Sequence, residues 1–312
     1  MEFLEPSNKK ALGLNPAEVQ KTHSVPFIHL LMVVCSVLVA SSFTVGAAIS
    51  GGLDPAVLTL VRFVLATVLL WPFVRLRTRL SFSAIWRCGI ISASLVIFFW
   101  CMFLSLRYTS ALNTSVIYTL VPGISGSYAV FLVGERLGRG KLLALGLGLV
   151  GAVWVIFRGD MSLLLAMAWN KGDLIFLAGC FSMALYTPLV QLLHRGESML
   201  VMTFWILVTG SGWLLLVSGN RLFLVDWQGV TPMVWAGIAY LAIFTTVISF
   251  FLTQYAIPYI GPTKAMAYSY LYPGLVLVLD LALGHGWPGV SVLPGLFLVL
   301  LSMVFIQRTG KP

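Results

Sequence analysis

Ten apolar stretches, at 27–49, 55–74, 84–106, 109–133, 142–157, 173–193, 199–218, 232–254, 262–283 and 290–306, take up most of the 312 residues. A run of about 20 apolar residues crosses a hydrocarbon core of about 30 Å as an α-helix. Lipid holds no water to satisfy backbone N–H and C=O groups, so such runs must close their hydrogen bonds internally. Composition agrees. Hydrophobic residues make up 59% of the chain, charged residues 9%, and mean hydropathy is +0.98, whereas a soluble domain carries about 25% charged residues. The expectation is an all-α polytopic membrane protein with ten transmembrane helices.

Turn-forming stretches such as GGLDP (51–55), RLRTR (75–79), GERLGRGK (134–141) and GHGWPG (284–289) separate the runs. With both termini on one side, that side collects fourteen lysines and arginines and the other side four, with Arg62 left inside a run. The positive-inside rule puts the rich side, and both termini, in the cytoplasm, as in a bacterial inner membrane. Residues 1–26 then form a polar cytoplasmic tail without signal-peptide design, 158–172 an external connection, and 308–312 a short cytoplasmic tail. Within the external connection, Met161–Trp169 is suited to lie on the membrane surface, with Trp169 at headgroup depth.

Sliding the chain on itself by 151 residues lays YTSALNTSVIYTLVPG (108–123) on YIGPTKAMAYSYLYPG (259–274), matching Pro122-Gly123 with Pro273-Gly274. After a change of register, TLVRF (59–63) falls on LVMTF (200–204). Each copy holds five runs, an odd number, so the second copy is inverted in the membrane. The basic loop after the fourth run and the loop without lysine or arginine after the ninth fit that inversion. Inverted repeats are a transporter architecture, with the binding site near mid-membrane between the halves.

From these residues the chain resembles the drug/metabolite transporter superfamily, EamA type. The resemblance runs from about residue 27 to 307. It is carried by Arg62-Phe63, by ALNTSVIYTLVP followed by Gly134-Glu135, by LALGLGLVGAVWV in the fifth run, and by KGDLIFLAGCFSMALYTPLVQLL (171–193). It implies repeats at 27–157 and 173–307, and export or uptake of a small metabolite or drug through a central cavity. The second repeat departs from the pattern: Gly284-His285 stands where Gly-Glu is expected. A role needing that acid twice is therefore not carried over.

Several residues could do the work. Pro122 with Gly123, and Pro273 with Gly274, read as paired hinges at equivalent depth or as static kinks. Each proline denies a backbone bond to the carbonyl four residues back, Tyr118 and Ser269. Lys264, Tyr268 and Tyr272 recur every four residues and would share one helical face. With Asn113 and Tyr118 from the partner repeat they could grip an anionic or aromatic metabolite, or else serve as headgroup anchor and helix packing. Trp100, Tyr186 and Gln254 are further cavity candidates, and Thr246, Ser249, Thr253 and Tyr255 weaker ones. Arg62 lies about 10 Å into its helix, either as a structural anchor or gate or as a substrate contact. Asp280 reads as the partner of an external cation or as a coupling carboxylate, and Glu135 as a member of a cytoplasmic ion pair with Arg136, Arg139 and Lys141.

The function read from the sequence is secondary transport of a small molecule, an amino acid or aromatic compound, in the export direction and by alternating access. A membrane-embedded enzyme, receptor or structural subunit is the alternative. His23, His29, His194 and His285 are dispersed without metal spacing, and Cys35, Cys88, Cys101 and Cys180 form no CxxC. No catalytic group, metal, cofactor or nucleotide-binding loop is expected. The basic excess is a topology signal, not a nucleic-acid one. Expected partners are the small-molecule substrate and membrane lipid, with the chain a monomer or homodimer.

Overall fold

A computed structural model describes residues 25–74, 82–133, 138–162, 170–260, 262–284 and 289–309. The N-terminal tail, Glu135 with Arg136, residues 163–169 of the segment expected on the membrane surface, and His285 lie outside the described residues. In chain order the helices are α1 (Val25–Ile49), α2 (Pro55–Leu70), α3 (Phe82–Ser105), α4 (Ala111–Tyr118), α5 (Val121–Val133), α6 (Arg139–Ile156), α7 (Lys171–Leu193) and α8 (Met199–Ser218). They continue with the short α9 (Arg221–Leu224), then α10 (Pro232–Ala242), α11 (Ser249–Ile260), α12 (Pro262–Ala267), α13 (Tyr272–Ala282) and α14 (Leu293–Thr309). A π-helical turn, Ile243–Ile248, joins α10 to α11, and a 3₁₀ segment, Tyr268–Leu271, joins α12 to α13. Among the described residues, seven helical stretches are long and apolar enough to cross a membrane, and Pro55–Leu70, Leu143–Ile156 and Val290–Phe305 are shorter apolar helices.

The helix starts follow local chemistry. Asp54 caps α2 by accepting from the Ala56 N–H, with Pro55 at the first helical position, where it needs no donor. Ser110 caps α4 through the Asn113 N–H at 3.1 Å, and Asn170 caps α7 through the Gly172 N–H at 2.7 Å. Inside the helices, many serine and threonine hydroxyls bond a carbonyl three or four residues back, which satisfies them without water. The four cysteines are free thiols.

Packing is symmetric between the two halves. α1 packs on α11 and α13, α7 packs on α3 and α5, α2 packs on α8, and α6 packs on α14. Exchanging the halves maps this set of contacts onto itself. Glycines set the closest approaches. A Cβ on Gly151 of α6 would sit 2.6 Å from the Gly295 carbonyl oxygen of α14, and one on Gly295 would sit 2.7 Å from the Gly151 oxygen. A Cβ on Gly179 of α7 would meet Cys101 Cβ of α3 at 2.7 Å. Backbones can touch only where no side chain intervenes, and in lipid such close contacts are a main source of helix association.

Two expectations change. The fourth and ninth runs are not uninterrupted α-helices: each passes through a tighter turn just before its proline. α4 stops at Tyr118 and α5 starts at Val121, while α12 gives way to 3₁₀ geometry before α13 starts at Tyr272. Both prolines therefore sit in the first turn of a second half-helix, where the missing N–H costs least. The carbonyl of Ser269 is not orphaned, because it accepts from the Tyr272 N–H. The second change concerns the shared face of Lys264, Tyr268 and Tyr272. Four residues turn through about 400° in an α-helix but about 480° in a 3₁₀ helix, so Tyr268 and Tyr272 diverge.

At the end of α7, the Arg87 guanidinium of α3 forms an ion pair with Glu197 and donates to the Leu193 carbonyl at 3.0 Å. Burial pushes the Glu197 carboxyl up, but the Arg195 N–H, Arg87 and His194 outweigh it and hold the carboxyl below the usual carboxylate range. A depressed folded value gives stability that is fully present above the unfolded value near 4.5 and is lost as pH falls through the folded one. Melting temperature should therefore drop more steeply below pH 4.5 in the wild type than in Glu197→Gln. Parallel pH profiles for the two proteins would remove the ion pair from the stability account.

Candidate functional site

The two breaks face each other. Tyr118, at the end of α4, and Tyr272, at the start of α13, have ring centroids 5.7 Å apart. Phe43 of α1 contacts both, at 5.9 Å and 6.3 Å, and reaches Phe176 of α7 at 6.2 Å. Phe98 of α3 adds contacts to Tyr118 at 5.7 Å and to Phe99 at 5.0 Å. An aromatic band thus runs from the breaks across α3. Tyr118, Tyr272 and Phe99 are half-buried, while Phe43, Phe98 and Phe176 are fully packed.

At the far end of the band lies Arg62, 2% exposed in the middle of α2. Its carbon Cζ stands 4.3 Å above the Phe99 ring centroid. Nε donates to Thr246 Oγ1 at 3.2 Å, and Nη2 donates to Thr245 Oγ1 at 3.1 Å and Thr246 Oγ1 at 3.0 Å. The π-helical turn makes this possible. Its wider ring lets two consecutive threonines each give a hydroxyl proton to the same carbonyl, that of Leu241, at 2.8 and 3.0 Å. Their lone pairs are then left for the guanidinium. A π-turn inserted in a helix is a frequent mark of a functional site. Nη1 is buried and has no hydrogen-bond partner among the described residues. A cation in an apolar helix is costly to desolvate, and Arg62 accordingly faces the packed interior of the bundle.

Phe99 is held in turn by Phe63, edge to face at 5.6 Å. Gly210 of α8 gives the Phe63 ring its room, since a Cβ there would meet the ring at 3.0 Å.

Two polar ties bracket the band. His29 Nδ1, near the start of α1, and the Tyr268 hydroxyl are 2.5 Å apart. Near the start of α7, the buried Asp173 accepts from Thr109 Oγ1 at 2.5 Å and from Asn113 Nδ2 at 3.3 Å. The first helix of each half is thus tied to the broken helix of the other half.

The expected residues are distributed accordingly. Tyr118 and Tyr272 come together. Trp100 packs half-buried in the cluster that holds Phe63 and Phe99. Tyr186 packs elsewhere, against Cys88, Met202 and Ile206. Tyr268 is 4% exposed and committed to His29, and Asn113 is committed to Asp173, so in this conformation both serve as interhelical ties. Lys264 is half-buried on α12. Asp280 accepts from Thr44 Oγ1 of α1 at 3.0 Å. The Gln254 side chain lies outside the described residues. A cavity of 470 Å³ opens elsewhere, at the loop end between Gly51–Asp54, Arg107, Val225, Asp226, Gly229 and Val230, and none of the expected residues lines it. Phe43, Phe98, Phe99, His29, Asp173 and Thr245 escaped the sequence reading. Asp173 left a signal, a carboxylate in the first turn of an apolar run, as did the adjacent threonines at 245 and 246. The phenylalanines left none.

Comparison with known proteins fits this geometry. The description of the EamA-like transporter family matches residues 26–157 and again 170–308. The "Uncharacterized transporter YyaM" of Bacillus subtilis (strain 168) is 26% identical over 202 residues, which cover 65% of this chain and 66% of that protein. The "Uncharacterized transporter YetK" of the same organism is 23% identical over 167 residues, 54% of this chain and 49% of that protein. The matches thus span about two thirds and about half of these relatives. A crystal structure of a protein 17% identical in sequence superposes with a TM-score of 0.60, covering 91% of this chain and 98% of the other, and so shares the fold. The matched family spans both halves of the polypeptide, and its members are polytopic helical membrane proteins: the chain belongs to the EamA-like transporter family.

Proposed function

We propose that the chain is a secondary transporter that carries a small organic molecule by alternating access, along the aromatic band between its two halves. The observation that carries this reading is the meeting of two broken helices. α4 and α5, and α12 and α13, break just before prolines 151 residues apart and touch at Tyr118 and Tyr272. Discontinuous helices from inverted repeats supply binding groups at mid-membrane, and each half-helix can rock while its neighbour stays packed. In this scheme α1–α6 and α7–α14 form the two repeats, both termini are cytoplasmic, and the His29–Tyr268 and Asp173–Asn113 ties close opposite mouths. Asp280 and Lys264 flank the path, and the substrate is a metabolite or drug-like compound moved outward.

Two measurements test this. Cysteines at Ser198 and Asn220, both exposed loop positions, should label from the cytoplasmic and external faces respectively. Asn220 suits the second probe better than Gly219, whose φ of +42° disfavours a side chain. In proteoliposomes, Tyr272→Ala should reduce tracer flux roughly tenfold, the equivalent of a ring contact of about 1.4 kcal/mol, with unchanged expression and melting. Labelling of both cysteines from one face rejects the topology. Flux lost only in proportion to folded protein assigns Tyr272 to packing.

A further inference from the structure

We propose that Arg62 is the docking point for the carboxylate of an organic ligand whose apolar body lies along the aromatic band beginning at Phe99. This deepens the transporter reading and rests on it for the route by which the ligand arrives. The argument starts from what Arg62 lacks. Two of its three nitrogens are held by hydroxyls, which are neutral acceptors, and the third, Nη1, is held by nothing among the described residues. No ion pair to Arg62 occurs among those residues either. A guanidinium desolvated without a counter-charge is a strong anion receptor, and its planar fork matches a carboxylate better than a lysine would.

A purely structural role accounts for less. Clamping α2 to the π-helical turn explains the bonds of Nε and Nη2 to Thr245 and Thr246. It leaves Nη1 buried and idle, at a cost that a clamp has no reason to bear. The geometry around the group is also oriented. Thr245 and Thr246 spend their protons on the Leu241 carbonyl, so they can only accept, and they hold one side of the guanidinium plane. Phe99 covers one face of that plane. What stays free is one corner, beside a ring that leads through Phe98 to Tyr118. Nη1 is closed off in this conformation, so the ligand reaches it when the helices part, and its charge is neutralised as they close again.

The test uses purified full-length protein in detergent with four probes: benzoate, 3-phenylpropanoate and the two corresponding neutral amides. The carboxylates should raise the melting temperature in a saturable way, with the amides binding roughly tenfold more weakly or worse. Arg62→Gln should abolish the preference, and Arg62→Lys should restore part of it. Inorganic phosphate and chloride form a separate arm, and protection by these ions alone overturns the organic ligand. Failure of both carboxylates to protect, equal protection by the amides, or a preference that survives in Arg62→Gln also overturns the proposal. If Arg62→Gln does not fold, modification of wild-type Arg62 by phenylglyoxal, read by mass spectrometry, takes its place. Benzoate must then shield Arg62 and benzamide must not. An Arg62 that reacts equally with and without benzoate, or never reacts, rejects the site. Flux separates the two readings. Transport of a neutral or cationic tracer without carboxylate protection removes this site and leaves the transporter. Carboxylate binding at Arg62 without flux of any bound compound does the reverse.

Discussion

Valine at both Thr245 and Thr246 is expected to unfold the protein or abolish its membrane accumulation. Valine matches threonine in shape, so packing is kept while every acceptor of the Arg62 guanidinium is removed. Breaking a buried charge arrangement by deleting one partner costs about 3–5 kcal/mol, because the remaining charge is left desolvated and unpaired. The same physics predicts the rescue. Adding Arg62→Met to the double valine variant replaces the whole arrangement with apolar groups of similar volume, which is close to neutral for stability. The triple variant should recover expression and melting temperature but not transport. Size-exclusion profiles and thermal melts of the three proteins check this, and a double valine variant as stable as wild type would mean that the threonines do not support the cation.

The second large effect comes from a single methyl group. Gly151→Ala should lower stability by about 1–3 kcal/mol, the usual cost of overpacking, and Gly151→Val by more. The added Cβ would lie 2.6 Å from a backbone oxygen of α14 and 3.0 Å from both Leu298 Cβ and Val299 Cγ2. A backbone oxygen cannot swing aside as a side chain can, so the two helices must separate along their length. The control lies on the same helix. A Cβ at Gly146 meets nothing within 4 Å, and Gly146→Ala should melt with the wild type. Equal melting of the Gly146 and Gly151 variants would show that α6 and α14 are free to adjust.

How much of this was legible in the sequence depends on the physical range of each feature. Helices and their approximate ends were legible because lipid allows a long apolar run one solution. The paired prolines located both breaks to within a few residues, since proline acts on its own backbone. What those breaks look like was not legible. Whether the chain before Pro273 is α-helical or 3₁₀ is decided by what packs on it, and that choice sent Tyr268 to His29 and Tyr272 to Tyr118. Arg62 stood out as a charge in an apolar run. Its partners, 183 and 184 residues away, could not be read from it.

The sequence by itself therefore determined the class of fold, the match of one family to 26–157 and again to 170–308, and the presence of a costly cation inside an apolar run. Each follows from local chemistry: apolar length, internal similarity, and the price of desolvating a charge. Only the tertiary structure decided that Thr245 and Thr246 hold that cation, that Phe99 covers it, and that the aromatic band joins it to the two breaks. Those are relations between helices distant in sequence, fixed by which glycines let backbones approach and by which side chains fill the space that remains.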